Sequence, residues 1–494
     1  MKKFLFTSTL LAIFYFTGFA QFATLDANFG NAGIDTFSKP HQGGLGNAVA
    51  FHSNNKILVT TGGDSLALGR LNYDGSPDIN FASNGWVPVG HFAMRSIAIQ
   101  PDGKILTAGI RSDITYGEEY VWRYNTNGTP DNTFGNNGRI VDTSLGSGYS
   151  IVALQSGGKI LISGTFAIKR VDSTGVVDAT FGNAGYVHNN SLPIFVASML
   201  VEPITGNIIL GGYTKTLQHI CVMRLTPNGT VDASFATNGI DSLSLPVNAL
   251  SPYMFVRFNS AGKIVLCSDY GAGNSNKLVC AQFNSTGSLD NSFGNNGLAF
   301  PIMNEGNGNE YIGGMDLQSD DKIAITATSN DTTLSVNNYD IRLMRLNANG
   351  FVDSAFGTLR VDVGVNGDAP TALGVQPDGK IVIVGSVYPH FLVARVTTGA
   401  LAVNSITANI STMAIYPNPT ANLATLKLTA QENDIVEISI CDMQGRIVKQ
   451  ISSGLQIKVG ENKQTVSFGE ISTGTYIISA TGQNTSAHIL VQKI

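Results

Sequence analysis

The sequence predicts an all-β fold from its composition and from its recurring segments. Charged residues make up only 13% of the chain, whereas glycine occurs 55 times. This balance suits short strands joined by tight turns better than long surface helices. Segments such as SIAIQPDGKILTAG and LGVQPDGKIVIVG place an Asp-Gly turn between two apolar strands, and such pairs supply the positive φ that hairpin turns need. Segments such as GRLNYDG and MRLTPNG add a strand that ends in a polar turn.

A motif of Asp, two variable residues, Phe and then Gly or Ala recurs at intervals of 47 to 63 residues. Self-similarity at this period is typical of propellers and solenoids. Each repeat holds a hairpin of strands A and B, an Arg-containing strand C, and a strand D that includes the motif Phe. Four antiparallel strands repeated seven times predict a seven-bladed β-propeller. The motif phenylalanines are Phe29, Phe81, Phe134, Phe181, Phe235, Phe293 and Phe356.

The order of strands within the repeats predicts how the propeller closes. The chain starts with a D-type strand, Leu25 to Phe37, and the last repeat stops after a C-type strand, Phe391 to Thr398. We therefore expect the N-terminal strand to pair with the last three strands and complete their blade. This pairing would remove two open sheet edges.

A fixed spacing also predicts a side-chain contact. In six repeats an Arg or Gln of strand C precedes the motif Asp by eight residues, and we expect the two to meet across the CD hairpin. An Asp that only caps its own turn is the open alternative. Arg395 has no such Asp after it, so it should pair with Asp26. The six pairs are Arg70 with Asp78, Arg123 with Asp131, Arg170 with Asp178, Arg224 with Asp232, Gln282 with Asp290, and Arg345 with Asp353.

The QPDGKI turn, the GRL strand and the DxxFGxxG segment, in this fixed order, resemble the delta-60 repeat family. The resemblance covers residues 25 to about 400 and implies a β-propeller, but no single activity. The fourth repeat departs from the pattern with EPITGNI, and the fifth has Gln282 where the others have Arg.

Residues 1–20 have the parts of a secretory signal peptide. A basic start at Lys2 and Lys3 precedes an apolar run, and small residues precede a predicted cut after Ala20. The apolar run is too short to span a bilayer, and no stretch of eighteen apolar residues follows it, so we expect no transmembrane segment. Loss of two lysines takes the formal charge from -5 to -7. With the other basic residues spread along the chain, no nucleic-acid partner is expected.

The repeat pattern ends near residue 400, where the character of the sequence changes. We expect a propeller over 21–400, a polar linker over 401–411, and a further domain over 412–494. Short alternating strands in that last segment predict a small Ig-like β-sandwich.

Four motifs of the last segment, YPNPT, DMQGRIV, STGTYIIS and the terminal HILVQKI, resemble the C-terminal sorting domain of the type IX secretion system. The resemblance implies that the secretion machinery is a partner, with a secreted, extracellular or outer-membrane-surface destination and a Bacteroidetes-type source. It also implies removal of the domain or attachment of a lipid. The residues that match the sorting signal are Tyr416, Pro417, Asn418, Pro419, Gly445, Arg446, Gly474, Tyr476 and Lys493.

The four cysteines lie in apolar, strand-like runs without the spacing of metal ligands. We expect buried free thiols at Cys221, Cys267, Cys280 and Cys441, since cysteine often packs as a small hydrophobe. A disulfide between Cys267 and Cys280 is the open alternative, because export permits oxidation.

The sequence contains no HExxH, GxSxG, Walker or Rossmann motif, and its seven histidines lack ligand spacing. We therefore expect no cofactor, no metal and no catalytic residue, and favour a binding protein over an enzyme. A polysaccharide lyase or glycosidase stays open as an alternative and would need a paired acid and base; a structural surface-layer component is another. The loop carboxylates available for such a pair are Asp113, Glu118, Glu119, Glu305, Glu310 and Asp368.

The two faces of the predicted propeller differ in sequence. The AB and CD turns share one face and vary little, whereas the BC and DA connections share the other and vary widely. Binding residues concentrate on variable loops held by a rigid frame, so we expect an unknown protein or glycan ligand on the BC/DA face. Loops that vary because nothing constrains them are the alternative. The candidate ligand-binding residues are His91, Tyr116, Glu118, Glu119, Tyr270, Asn309, Tyr311, Tyr388 and His390.

Overall fold

A computed structural model gives the arrangement of the chain, which divides into two compact units, Met1–Thr398 and Gly399–Ile494. Each unit is considered by itself below. The structure describes residues 23–37, 46–52, 55–61, 66–90, 92–111, 118–146, 150–215, 219–245, 250–271, 276–303, 308–330, 339–363, 367–387, 390–397, 410–441, 447–482 and 486–494.

The first unit is built from short strands, with two single 3-10 turns at Ser156–Gly158 and Asn189–Ser191 among its described residues. Its strands in chain order are β1 (Thr24–Leu25), β2 (Ile34–Phe37), β3 (Gly46–His52), β4 (Lys56–Thr61), β5 (Leu66–Leu71), β6 (Trp86–Gly90), β7 (Phe92–Ile99), β8 (Ile105–Arg111), β9 (Glu119–Tyr124), β10 (Arg139–Asp142), β11 (Ile151–Gln155), β12 (Lys159–Ser163), β13 (Ala167–Val171), β14 (Tyr186–His188), β15 (Ile194–Val201), β16 (Ile208–Thr214), β17 (His219–Leu225), β18 (Ile240–Ser244), β19 (Leu250–Phe258), β20 (Ile264–Tyr270), β21 (Lys277–Phe283), β22 (Leu298–Ala299), β23 (Glu310–Leu317), β24 (Ile323–Asn330), β25 (Tyr339–Leu346), β26 (Thr358–Val361), β27 (Asp368–Val375), β28 (Ile381–Val387) and β29 (His390–Thr397).

These strands form antiparallel sheets arranged as propeller blades, seven of them within the described part of the unit. Blades 1 to 6 each hold four strands in sequence order A, B, C and D, beginning at β3, β7, β11, β15, β19 and β23. Blade 7 holds β27, β28 and β29 together with β1 and β2. Each strand A contacts strand A of the next blade, and β27 contacts β3, so the A strands line the inside of a closed ring.

The two ends of the unit meet in blade 7. Both β1 and β2 pair with β29, with Leu25 opposite Val396 and Thr36 opposite Leu392. The predicted closure is therefore confirmed.

The motif Phe lies in a turn rather than in strand D, contrary to the sequence-based prediction. In blade 1 the Phe81 amide donates to Asp78 O, the Gly85 amide donates to Phe81 O, and strand D begins only at Trp86. The turn needs Gly85 because its φ of 97° is a left-handed value that side chains disfavour. The N-terminal segment is likewise two short strands around such a turn.

The hydrophobic core lies between neighbouring blades, which explains why strand B is apolar at successive positions. In blade 4, Ile208 and Leu210 belong to a cluster with blade 3 residues such as Leu161. Between them Ile209 joins a cluster with Val256 of blade 5. Because successive side chains point to opposite faces of a sheet, a strand covered on both faces must be apolar throughout.

A disulfide joins Cys267 of β20 to Cys280 of β21, which stand directly opposite each other in the sheet of blade 5. The expectation of free thiols was wrong for this pair because the sheet register places the two sulfurs side by side. Cys221 and Cys441 are free and buried.

The second unit has seven described strands in two sheets. One sheet has the order β30-β31-β34 and the other β33-β32-β35-β36. Leu426 and Leu428 of the first sheet pack with Val436, Ile438 and Ile478 of the second, as expected for a small β-sandwich. The strands are β30 (Ile410–Tyr416), β31 (Leu423–Ala430), β32 (Asp434–Cys441), β33 (Ile447–Ile457), β34 (Gly460–Ser467), β35 (Gly474–Gly482) and β36 (Ser486–Lys493).

Across the described ranges of both units, no helix has the length and apolar character that crossing a membrane requires.

Candidate functional site

The AB/CD face carries the same ion pair in six blades of the described structure. Arg Nε of strand C donates to Oδ2 of the motif Asp, at 2.8 Å between Arg70 and Asp78 and at 2.8 Å between Arg395 and Asp26. We call this pair the Arg–Asp clasp, and its predicted contact is confirmed. The other clasps are Arg123–Asp131 at 2.7 Å, Arg170–Asp178 at 2.9 Å, Arg224–Asp232 at 2.8 Å and Arg345–Asp353 at 3.0 Å.

The alternative in which the Asp caps its own turn is also correct, because one carboxylate oxygen accepts from the arginine and the other accepts from the turn. While Oδ2 of Asp131 accepts from Arg123, its Oδ1 accepts from the Thr133 amide at 3.1 Å and the Thr133 hydroxyl at 2.7 Å. This is an Asx-turn. The Asp therefore shapes the CD turn and anchors strand C at once.

A lysine from the AB turn reaches the same carboxylate. In blade 3 the Nζ of Lys159 lies 2.6 Å from Asp178 Oδ2, and in blade 7 Lys380 Nζ lies 2.8 Å from Asp26 Oδ2. Hydrogen bonds from Lys159 and Thr180, followed by the charge of Arg170, hold the pKa of Asp178 well below its usual value despite burial. The corresponding lysines elsewhere are Lys56, Lys104, Lys263 and Lys322.

The clasp arginine also links its blade to the next one. The guanidinium carbon of Arg170 lies 4.8 Å from the centroid of the Phe181 ring, and Nη1 donates to Pro227 O of blade 4 at 2.5 Å. The Gly182 amide adds a 2.8 Å bond to Asn228 O of the same turn. The motif Phe is thus a stacking surface for the cation. Arg395 repeats the arrangement over Phe29.

Blades 4 and 5 depart from this pattern where the sequence departs from the repeat. Blade 4 has no lysine in its AB turn, and Glu202 there lies 3.5 Å from Nη1 of Arg224. In blade 5 the uncharged Gln282 replaces the arginine, while Lys263 still reaches Asp290 at 2.6 Å. Blade 5 is also the blade that contains the disulfide.

Contacts between blades 5 and 6 on the BC/DA face involve the predicted residue Asn309 and the strand partner of the predicted residue Tyr270. The Asn276 amide donates to Asn309 Oδ1 at 2.9 Å. Lys277, the register partner of Tyr270, donates to Gly308 O at 3.0 Å. Of the other predicted residues, His91, Tyr116 and Tyr388 lie outside the described residues.

Glu118 and Glu119 stand apart from that group, at the start of strand C in blade 2. Glu119 is only 1% exposed and accepts from the Ser150 hydroxyl at 2.8 Å. Burial raises the pKa of Glu119 to about 8 against the opposing effect of that hydrogen bond. Within the described structure its Oε1 has no hydrogen-bond partner. Glu118 accepts a hydrogen bond from the Tyr120 hydroxyl.

The remaining described carboxylates among the enzyme candidates hold loops in place. Glu310 Oε1 accepts from the Met303 amide at 2.7 Å, and Asp368 Oδ2 accepts from the Val363 amide at 2.6 Å. Each bond fixes the DA connection that leads into its own blade. His390 begins β29 in blade 7 and is half-buried, while Asp113 and Glu305 lie outside the described residues. The described candidates therefore stand on blades 2, 6 and 7.

The inner strands show two residues that sequence reasoning missed. In blades 4, 5 and 6 the fifth residue of strand B pairs with a residue of strand A, and the residue just before that partner is aromatic. These residues are Phe195, Tyr253 and Tyr311, which we call the aromatic arc. Only Tyr311 was among the predicted residues. An alignment of the repeats on their AB turns would have matched Phe195 with Tyr311, since each stands six residues before the end of strand A, whereas Tyr253 stands five residues before it and is matched only by the strand pairing.

Some of the residues predicted to match the sorting signal, although distant in sequence, lie on neighbouring segments of the second unit. Asn418 Oδ1 accepts from the Gln492 amide at 2.9 Å, and Gly474 pairs with Lys493 across β35 and β36. The Tyr476 hydroxyl donates to Ser472 O at 2.8 Å. Tyr416 is exposed and precedes Pro417 and Pro419. Gly445 and Arg446 lie outside the described residues.

Family comparisons agree with both units. Residues 414–493 match the model of the secretion system C-terminal sorting domain. Five stretches match a β-propeller domain of unknown function, DUF5122. The chain combines a DUF5122 β-propeller region with a type IX sorting domain. The sorting domain indicates export to a secreted or cell-surface location. The DUF5122 stretches are 100–134, 205–235, 261–293, 318–356 and 376–399.

No curated protein matches the sequence significantly. Solved structures that match the chain include a catalytically inactive virginiamycin B lyase from Staphylococcus aureus with quinupristin, at 12% identity and a TM-score of 0.35, covering 62% of this chain and 95% of that one. Another is a carbohydrate-active enzyme of family AA12 from Trichoderma reesei, at 13% identity and a TM-score of 0.36, covering 74% and 96%. A protein of unknown function from Bacteroides caccae matches at 12% identity and a TM-score of 0.31, covering 65% and 83%.

Proposed function

We propose that this exported propeller is a binding protein of the cell surface, which holds a protein or glycan ligand on its BC/DA face without chemical turnover. The observation that carries the proposal is the difference between the repeated residues of one face and the variable residues of the other. The Arg–Asp clasp and its Phe occupy the AB/CD face and serve to join blades. The BC/DA face bears residues that differ from blade to blade.

Several contacts support a rigid frame under that variable face. Glu310 and Asp368 fix the connections into blades 6 and 7 through backbone amides. Asn309 fixes the start of strand C in blade 5 through the Asn276 amide. Loops positioned in this way can present side chains to a ligand with little loss of entropy on binding.

The test uses the mature full-length protein, immobilised, with a panel of soluble polysaccharides and an extract of outer-surface proteins as probes. Capture without release of new reducing ends or unsaturated products is expected. Tyr116→Ala, Tyr311→Ala and Tyr388→Ala should weaken capture while the melting temperature stays nearly unchanged. Weaker capture after matched changes in the PDGK turns, such as Asp102→Ala and Asp378→Ala, would place the ligand on the wrong face for this proposal.

One observation favours an enzyme as the second candidate. Glu119 combines burial, a pKa raised to about 8 and an oxygen without a hydrogen-bond partner in the described structure. A carboxyl group that is protonated at neutral pH is suited to act as a general acid. Product formation from a polysaccharide that disappears in Glu118→Gln or Glu119→Gln would establish the enzyme and contradict the binding role.

A further inference from the structure

We propose that the aromatic arc is the ligand platform of the BC/DA face and that its ligand is a neutral polysaccharide chain, lying across blades 4, 5 and 6. This inference rests on the proposed function and assigns the class of its ligand. It starts from a single register position in the innermost strand of the blades.

That position is aromatic in three successive blades. Strand A of every blade runs from the BC/DA face towards the AB turn, so a residue near its start lies close to the BC/DA end of the ring. Blades 2 and 7 carry Ala93 and Ala369 there. Blades 4, 5 and 6 carry Phe195, Tyr253 and Tyr311. In a repeat protein, a contiguous departure of this kind is not required by the blade fold itself.

Two of the three arc residues are exposed to solvent. Phe195 is 45% exposed and Tyr253 is 55% exposed, although both stand on the innermost strand. Tyr311 is half-buried. Phe300, in the connection from blade 5 to blade 6, is also exposed and lies 6.0 Å from the Tyr270 ring.

Polar contacts between blades hold the backbone of the arc in place. The Tyr213 hydroxyl of blade 4 donates to Tyr253 O at 3.2 Å, and the Ser268 hydroxyl donates to the same oxygen at 2.8 Å. The Ile312 amide, next to Tyr311, donates to Asp269 of blade 5 at 3.4 Å. A platform fixed in this way loses little conformational entropy when a ligand binds.

The chemistry of the arc favours sugar rings as its ligand. The C–H faces of pyranose rings stack on aromatic side chains, and Tyr adds a hydroxyl that can hydrogen-bond to the sugar. Three similar positions related by the blade repeat suit a ligand that itself repeats, as a polysaccharide does. The arc therefore offers up to three stacking positions to successive parts of one chain.

The charges around the arc favour a neutral polysaccharide over an acidic one. Two described cations of blades 4 and 5 on this side are already engaged: Lys215 Nζ donates to Asn190 O, and Lys277 Nζ donates to Gly308 O. Burial, followed by interactions with Tyr339 and the negative Asp269, raises the pKa of Tyr311. An anionic chain would meet that same negative charge.

The test measures the affinity of the mature protein for soluble neutral glucans, mannans and xylans and for uronate-containing polymers, by affinity electrophoresis. A neutral polysaccharide should be retained. Phe195→Ala, Tyr253→Ala or Tyr311→Ala should each weaken retention at least tenfold, and Tyr253→Phe should preserve it. The control is Phe351→Ala, an equally exposed aromatic on the AB/CD face at 57%, which should change neither retention nor melting temperature.

Three results would overturn the inference. Retention of uronate polymers alone would refute the neutral ligand, and unchanged retention in all three arc variants would refute the platform. A folded protein that retains no polysaccharide but binds a surface protein on its BC/DA face would refute the glycan and leave the proposed function standing. Capture lost only through changes in the PDGK turns would instead refute the proposed function.

Discussion

The two faces of the propeller differ in how far their residues repeat from blade to blade. On the AB/CD face, six described blades use an Arg, an Asp and a Phe in one arrangement, and the product is a link from each blade to the next. On the BC/DA face, the corresponding positions differ, and buried carboxylates such as Glu310 and Asp368 support individual loops. Residues that repeat in this propeller therefore stabilise the fold, whereas residues that vary between blades form the surface on which we propose that the ligand binds.

The largest expected effect concerns the clasp that closes the ring. Asp26→Asn should lower the free energy of unfolding by about 3 to 5 kcal/mol, because Asp26 is the counter-charge of both the buried Arg395 and Lys380. Urea denaturation measures this. The control is Asp362→Asn, which removes an exposed partner of Arg360 and should cost less than about 1 kcal/mol. Equal effects of the two changes would mean that closure does not depend on the clasp.

Blade 5 provides the next test, since it lacks the clasp arginine and contains the disulfide. Denaturation in the presence of a reductant should lower the stability of the protein by about 3 kcal/mol, the usual effect of releasing a short disulfide loop. The variant Cys267→Ala/Cys280→Ala should be insensitive to the reductant. Gln282→Arg in that variant should recover about 1 kcal/mol. If the reductant leaves the wild-type midpoint unchanged, the disulfide makes no contribution to blade 5.

Acid should weaken the contribution of the Arg–Asp clasps on the AB/CD face to the free energy of unfolding. The pKa of Asp178 is lowered in the folded state by hydrogen bonds from Lys159 and Thr180, so its stabilisation is present above the unfolded value near 3.8 and is lost as the pH falls through the folded value. Asp178→Asn should therefore cost about 2 kcal/mol at pH 7 and progressively less below pH 4. A cost that is the same at pH 7 and pH 3 would contradict this role. Thermal unfolding at several pH values provides the measurement.

The contribution of Glu119 to the free energy of unfolding should depend on pH in the opposite sense, and we expect a smaller change. Because burial raises its pKa to about 8 from 4.5 in the unfolded chain, the folded state loses stability as the pH rises between these values. Glu119→Gln removes that loss. The variant should match the wild type near pH 5 and exceed its free energy of unfolding by at least about 1 kcal/mol at pH 9. A variant that is less stable at both pH values would show that the carboxylate is needed in its charged form.

The scaffold was largely predictable from sequence because its determinants are local and repeated. The spacing of eight residues between Arg170 and Asp178 fixes both the hairpin and the contact across it. Arg395 has no Asp eight residues after it, and the same rule identified Asp26 as its partner, although nearly the whole propeller sequence lies between the two residues. The motif Phe was misassigned to a strand because its apolar character reflects stacking under a guanidinium group within a turn.

The candidate site was less predictable because it depends on register and on contacts between blades. A bulge in strand A lies next to Phe195, between Val196 and Ser198, so an alternating pattern does not reveal which residues of the strand are exposed. The disulfide was not favoured because only the register of β20 on β21 shows Cys267 opposite Cys280. The segments that contain His91, Tyr116 and Tyr388 lie outside the described residues, so their roles stay predictions.

Hydrogen exchange of the mature protein, with and without a retained neutral polysaccharide, tests the division between the faces most directly. The amides near Phe195, Tyr253 and Tyr311 should exchange more slowly with the polysaccharide bound, while those of the AB and CD turns, including the turn at Phe351, should be unchanged. Slower exchange confined to the AB and CD turns would contradict the account, because it would place the ligand on the face that the clasps reserve for structure.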